Sequence, residues 1–113
     1  MNCLFCDIVE KKIPATIIYE DEDVIAFEDV APRAPSHLLI IPKQHIATLN
    51  DLDETQTHLA GKLLYTANKL AKQLGHSQQG YRVVMNCQKD AGQTVFHMHL
   101  HLLGGRVFQW PPG

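Results

Sequence analysis

The 113-residue sequence has no surplus of positive charge: ten Lys and Arg against twelve Asp and Glu leave a formal charge of -2. The basic residues are scattered, so neither nucleic acid nor an anionic membrane surface is suggested as a partner. No apolar run reaches membrane-spanning length, and Met1-Asn2-Cys3-Leu4-Phe5-Cys6 lacks the basic start and long apolar stretch of a secretory leader. The chain is therefore expected in the cytoplasm. Three cysteines, an odd number, argue against a disulfide framework and for a reducing compartment. There is no internal repeat and no low-complexity linker. At this length and 45% hydrophobic content, residues 1–113 suffice for one domain with its own core and not for two.

Histidine, by contrast, is concentrated. In Gly92-Gln93-Thr94-Val95-Phe96-His97-Met98-His99-Leu100-His101-Leu102-Leu103-Gly104-Gly105, three imidazoles alternate with Met98, Leu100 and Leu102. A period of two predicts a strand with an imidazole face and an apolar face, the latter packed on a core. Alternate residues of a strand lie about 7 Å apart, too far for one small ion or phosphate to touch all three rings of a straight strand. The three must divide their labour. Such a face can be structural, can hold a metal through a His-x-His pair, or can do nucleophilic and acid–base work. The preceding Asp90-Ala91-Gly92-Gln93-Thr94, with a glycine and polar side chains suited to cradling an anion, tilts the choice toward phosphate chemistry.

The remaining elements follow in order. Cys3 to Lys12 has helical spacing at Leu4, Phe5, Ile8 and Val9 and stops before Pro14. Ile17–Glu20 and Val24–Glu28 flank an acidic turn and predict a hairpin, and His37–Pro42 reads as a buried strand after a proline-containing loop. A long helix begins at Asp53-Glu54-Thr55-Gln56 and buries Leu59, Leu63, Ala67, Leu70, Ala71 and Leu74 before Gly75. Tyr81–Cys87 is a further strand, with Cys87 a core thiol. Five strands with one short and one long helix, joined mostly by hairpins, predict an α+β fold with a mainly antiparallel sheet. The tail 107–113, Val-Phe-Gln-Trp-Pro-Pro-Gly, is apolar for a free terminus and suggests docking.

The run His97-Met98-His99-Leu100-His101-Leu102-Leu103 resembles the His-φ-His-φ-His-φ-φ signature of the histidine triad superfamily, φ being apolar. The resemblance extends to Ile13-Pro14-Ala15, Tyr19-Glu20-Asp21, Ala26-Phe27-Glu28-Asp29, Ala34-Pro35-Ser36-His37, Ile41-Pro42-Lys43 and Trp110-Pro111-Pro112-Gly113, and is greater to the nucleotide-binding branch than to the dinucleoside polyphosphate hydrolases. It implies the same α+β architecture, with two protomers joined through the long helix and an edge strand into one continuous sheet. It implies His99 as the nucleophile at the α-phosphorus, His101 as hydrogen-bond donor to the phosphate or ester oxygen, and His37 as orienting the cluster. Asn86, Gly92, Gln93 and Thr94 match positions that grip phosphate. Asp29 would accept from the ribose hydroxyls, and Phe27, Val30, Phe5 and Ile8 would sandwich the base.

Cys3-Leu4-Phe5-Cys6 alone is an incomplete zinc signal, equally readable as two reduced thiols. The resemblance completes it with His45 and His97 as a closed, structural zinc set, which leaves His99 and His101 for phosphate. The expected activity is hydrolysis of purine nucleoside 5'-monophosphoramidates, yielding AMP or GMP and an amine. Dinucleoside polyphosphate hydrolysis, a nucleotide-binding scaffold with incidental turnover, and a purely metal-binding module stand as alternatives.

Overall fold

A computed structural model describes residues 2–113. In chain order these form helix α1 (Leu4–Val9), strands β1 (Ile17–Glu20), β2 (Val24–Glu28) and β3 (Ser36–Pro42), helix α2 (Thr57–Gln73), and strands β4 (Tyr81–Val84) and β5 (Leu100–Gly104). The strands form one sheet in the order β1-β2-β3-β5-β4, with every neighbouring pair antiparallel. Because β5 is antiparallel to both its neighbours, β3 and β4 run in the same direction, and the chain passes from one to the other through α2.

Asp21 makes the β1–β2 turn by accepting from the N–H groups of Asp23 and Val24 at 2.8 and 3.0 Å, an Asx-type contact that replaces backbone pairing. At the start of α2, Asp53 and Gln56 form a capping box on a short 3-10 turn, Glu54–Gln56, so the regular helix begins at Thr57. It ends at Gly75, whose φ of +82° closes the last turn.

The apolar stripe of α2 covers one sheet face. Leu59, Leu63, Ala67, Leu70 and Ala71 pack with Val24, Ala26, Leu38, Ile40, Met98, Leu100 and Leu102. The opposite face carries a second cluster of Cys3, Phe5, Ile8, Ile25, Phe27, Leu39 and Ile41, so α1 lies across the sheet from α2. Cover on both faces accounts for the uninterrupted apolar run in β3.

The histidine strand is shorter than its alternation predicts. Extending the β3–β5 register from Ile40↔Leu100 would set Met98 against Pro42, which has no N–H to donate. The ladder stops there; Met98 N–H instead donates to Ile46 O, and residues 97–99 lie outside the strand, with a bend at His97. The side-chain alternation persists, with Met98, Leu100 and Leu102 all in the core. Strand β4 likewise ends at Val84 rather than Cys87, and Cys87 is half-buried in the following loop instead of being a core thiol.

Candidate functional site

Register brings the histidines together. His37 lies opposite Leu103 and His101 opposite Leu39, which makes the two histidines diagonal neighbours on one face. Their rings meet with His37 Nε2 2.9 Å from His101 Nδ1. His99 follows, its ring centroid 5.0 Å from that of His101, because the side chains lean toward each other.

The hydrogen-bond partners assign the protons. Arg33 N–H donates to His37 Nδ1 at 3.0 Å, so the proton of neutral His37 is on Nε2, from which it is donated to His101 Nδ1. The proton of neutral His101 is then on Nε2. The carboxylate Oδ2 of Asp29 lies 3.4 Å from His37 Nε2, while its Oδ1 accepts from Ala31 N–H. In His99, Nδ1–H donates to His97 O at 2.8 Å, which leaves the Nε2 lone pair without a partner among the described residues. The three rings thus present a free lone pair at His99 beside an N–H donor at His101. Burial holds the imidazolium forms of His37 and His101 below the usual range, His101 down to about 4 with further opposition from the charges of His99 and His37.

His99 and His101 line a cavity of about 390 Å³ whose walls include Phe5, Ile8, Phe27, Leu39 and Val95, with Asp29, Val30 and Thr94 also on it. Its size falls in the range of small-molecule pockets, about 300–1,000 Å³, and Glu28, Asp29, Thr94 and the two histidines are the polar side chains on a mostly apolar wall. A larger depression of about 550 Å³ lies between the turn after α2 and the tail, lined by His76, Arg82, Arg106 and Phe108 among others. It is away from the triad and contains none of its residues.

Several expected site residues lie elsewhere. Val30, although on the rim, is 100% exposed, so it is an edge and not one side of a sandwich. Asn86 and Gly92 are not on the cavity wall. Gly92 takes φ +85° to close the turn Lys89–Ala91, a conformation that glycine adopts without penalty. Gln93 is not a free phosphate ligand. Its Oε1 accepts from Gln88 N–H, its Nε2 donates to Ala47 O and Val95 O, and its own N–H donates to Gln88 O. It braces the loop. His97 is fully buried, is not on the cavity wall, and its Nε2–H donates to Pro42 O at 2.7 Å. The signals that sequence reading missed are backbone ones, the Arg33 N–H and the carbonyls of Pro42 and His97, which carry no side-chain signature.

With Nε2 protonated, His97 Nδ1 is a lone pair, and it faces Cys3, Cys6 and His45. It lies 3.4 and 3.5 Å from the two sulfurs and 3.3 Å from His45 Nδ1, which is 3.3 Å from Cys6 Sγ. A tetrahedral zinc site with ordinary bond lengths has edges of about 3.3 Å between nitrogens and about 3.6 Å between nitrogen and sulfur. The four donors fit. Burial, then the hydrogen bond and charge of Cys3, push the Cys6 thiol up to about 11, so paired thiolates here call for a cation. The second His-rich group, Asp29–His37–His101, is different in kind, because protons assigned above already occupy the space between its donors.

Residues 10–108 match the family model of the HIT domain. The chain belongs to the HIT domain family. It is 48% identical to a 14 kDa zinc-binding protein of Zea mays, over 97% of this chain and 87% of that one. A HIT family hydrolase from Legionella pneumophila superposes with a TM-score of 0.97 at 54% identity, covering 99% of this chain and all of the other. A Zn-bound histidine triad protein from Mycobacterium smegmatis gives a TM-score of 0.82 at 34% identity, with 94% and 76% covered. The HIT match begins at residue 10, so Cys3, Phe5, Cys6 and Ile8 lie outside it. No helix among the described residues is long and apolar enough to cross a membrane.

Proposed function

We propose that this HIT protein hydrolyses purine nucleoside 5'-monophosphoramidates to a nucleoside monophosphate and an amine. The carrying observation is the free Nε2 lone pair of His99 beside the Nε2–H donor of His101 at the wall of an apolar cavity. His99 Nε2 attacks the α-phosphorus as the P–N bond breaks and the departing nitrogen takes a proton from water, giving a nucleotidyl-histidine and a free amine. Water then cleaves the new N–P bond and releases the monophosphate. As positive charge develops on His99, the acceptor His97 O holds the ring in line. His101 donates to a phosphoryl oxygen, and His37, fixed by Arg33 N–H, keeps that donor in the required tautomer. Thr94 offers a hydroxyl to phosphate, Asp29 an acceptor to the ribose hydroxyls, and Phe5, Ile8 and Phe27 an apolar slot for the base; Gly92, Gln93 and Asn86 act on the loop around it. Cys3, Cys6, His45 and His97 hold a structural zinc ion, the closed set leaving no position for a reacting water. The work is that of a compact enzyme of the cytoplasm.

The test is release of AMP from adenosine 5'-phosphoramidate by wild type and His99→Ala, with matched circular dichroism and AMP binding. A loss of several orders of magnitude in the variant is expected. Equal rates would sink the nucleophile assignment, and faster turnover of a dinucleoside polyphosphate would change the substrate. A homodimer is part of this reading: β4 is an open sheet edge with Tyr81 and Val83 exposed, Leu64 and Tyr65 project from α2, and Trp110 in the tail is 82% exposed. Sedimentation equilibrium should give twice the chain mass at micromolar concentration; a monomer would refute it.

A further inference from the structure

Helix α1 has six residues, too few to persist without tertiary support. It adds no strand to the sheet. Two things hold it: the Cys3/Cys6 end, whose sulfurs meet His45 and His97, and the Phe5 and Ile8 side chains against Phe27 and its neighbours. Phe5 lies between the two cysteines in sequence, is 4% exposed, and takes part in both sites. Its ring packs edge-on to Phe27 (5.4 Å between centroids), to the metal-side His97 (6.0 Å) and, most closely, to His99 (5.1 Å at 85°), while it also walls the 390 Å³ cavity. His97 also touches both sites, with Nδ1 in the Cys/His cluster and its carbonyl accepting from His99 Nδ1–H, but its ring is already anchored by Pro42 O, which leaves Phe5 as the part that the cluster holds in place.

We infer that the Cys/His centre is thermodynamically coupled to nucleotide binding, with Phe5 as the positioning residue that transmits the coupling. The inference rests on the nucleotide reading of the cavity. The four-donor set fastens both ends of the Cys3–Cys6 turn to His45 and His97, and this turn carries the ring that walls the cavity and confines His99. Loss of the ion frees the turn, and the cavity loses its Phe5 wall and the face against His99. Coupling is reciprocal, so nucleotide must tighten the metal as much as metal tightens nucleotide. Allosteric factors of this kind are commonly about 5–150-fold.

Calorimetric titration of AMP into zinc-loaded protein, chelated protein still folded by circular dichroism, and the Phe5→Leu variant in both states tests this. Chelation should weaken AMP by about fivefold or more in wild type, with zinc affinity rising by the same factor in saturating AMP. In Phe5→Leu the loaded protein should bind AMP more weakly, and chelation should change its affinity by less than about twofold, below the usual coupling range. If chelation unfolds the chain, cobalt(II) loading replaces it: AMP should shift the cobalt–thiolate absorption of wild type and not that of Phe5→Leu. Equal AMP affinity with and without zinc, a coupling that survives in Phe5→Leu, or a cobalt spectrum indifferent to AMP overturns the inference. Failure of loaded wild type to bind AMP at all instead overturns the nucleotide reading.

Discussion

Replacing His101 by Gln isolates one titration. In the native protein burial, aided by the charges of His99 and His37 and opposed by that of Asp29, depresses His101 to about 4 from an ordinary value of 6.5. Between those values the unfolded chain binds the proton and the native chain does not, so stability rises with pH across the window. The contribution is complete above pH 6.5 and is lost as pH falls toward 4. The full shift corresponds to about 3 kcal/mol, a ceiling because neighbouring histidines share the titration. Gln keeps an acceptor for His37 Nε2–H and removes the proton site. Urea denaturation at pH 7.5 and 4.5 should therefore show wild type losing about 2–3 kcal/mol more than His101→Gln over this interval. Ion release by the Cys/His set at low pH is common to both proteins and cancels in the difference, since His101 is not one of its ligands. Curves that fall in parallel to within about 0.5 kcal/mol, the error of additivity for independent sites, would refute the reasoning.

Three further substitutions test other parts of the structure. Leu63→Ala, under the sheet at 1% exposure, should cost about 2–5 kcal/mol in the same urea assay; a cost below 1 kcal/mol would mean the α2 face collapses around the cavity. Gln93→Leu should leave Gln88 N–H, Ala47 O and Val95 O without their side-chain partner, costing about 1–3 kcal/mol and speeding amide exchange at Gln88; unaltered exchange would show the brace to be dispensable. Gly104→Ala would set a methyl 2.6 Å from His76 Cδ2 and dislodge its ring from Ser36 Oγ, costing about 1–3 kcal/mol that the added change His76→Ala should recover. If the second change recovers nothing, the clash lies elsewhere.

What could be read from residues alone was whatever depends on side-chain pattern. The β1–β2 hairpin, β3 and the stripe of α2 from Leu59 to Ala71 lie where alternation, a continuous apolar run and three-to-four spacing put them; Leu74, expected in that stripe, is 41% exposed because the helix ends at it. The triad signature and the Cys-x-x-Cys pair pointed to the two clusters that the fold assembles. Backbone pairing was less legible. Residues 97–99 alternate like a strand, yet a proline 55 residues before His97 withholds the N–H that would extend the ladder. Gln93 shows the complementary failure: a polar residue beside a phosphate-like loop reads as a ligand until its amide is found occupied by three backbone groups. Sequence gives residue type, whereas ligand capacity depends on which atoms remain unpaired.

The same principle explains how one repeated residue acquires three duties. An imidazole has two nitrogens, and whichever binds a fixed partner determines what the other can do. For His97 the partner is Pro42 O, which accepts from Nε2–H and leaves Nδ1 as a lone pair among Cys3, Cys6 and His45. For His99 it is the carbonyl of His97, which takes Nδ1–H and leaves a lone pair on Nε2. For His101 it is the Nε2–H donor of His37, itself set by Arg33 N–H, which leaves an N–H on Nε2. Two acceptors and one donor along the same face thus make two lone pairs and one proton donor. The first lone pair lies with the thiols, while the second belongs to a ring that shares the cavity wall with the donor. Alternation with the core residues Met98, Leu100 and Leu102 keeps the three rings off the α2 side, and the groups behind them set their chemistry. Reversing the His37 tautomer would set its Nδ1–H against the Arg33 N–H and its Nε2 lone pair against that of His101 Nδ1, so the Arg33 backbone contact is part of what makes the site competent.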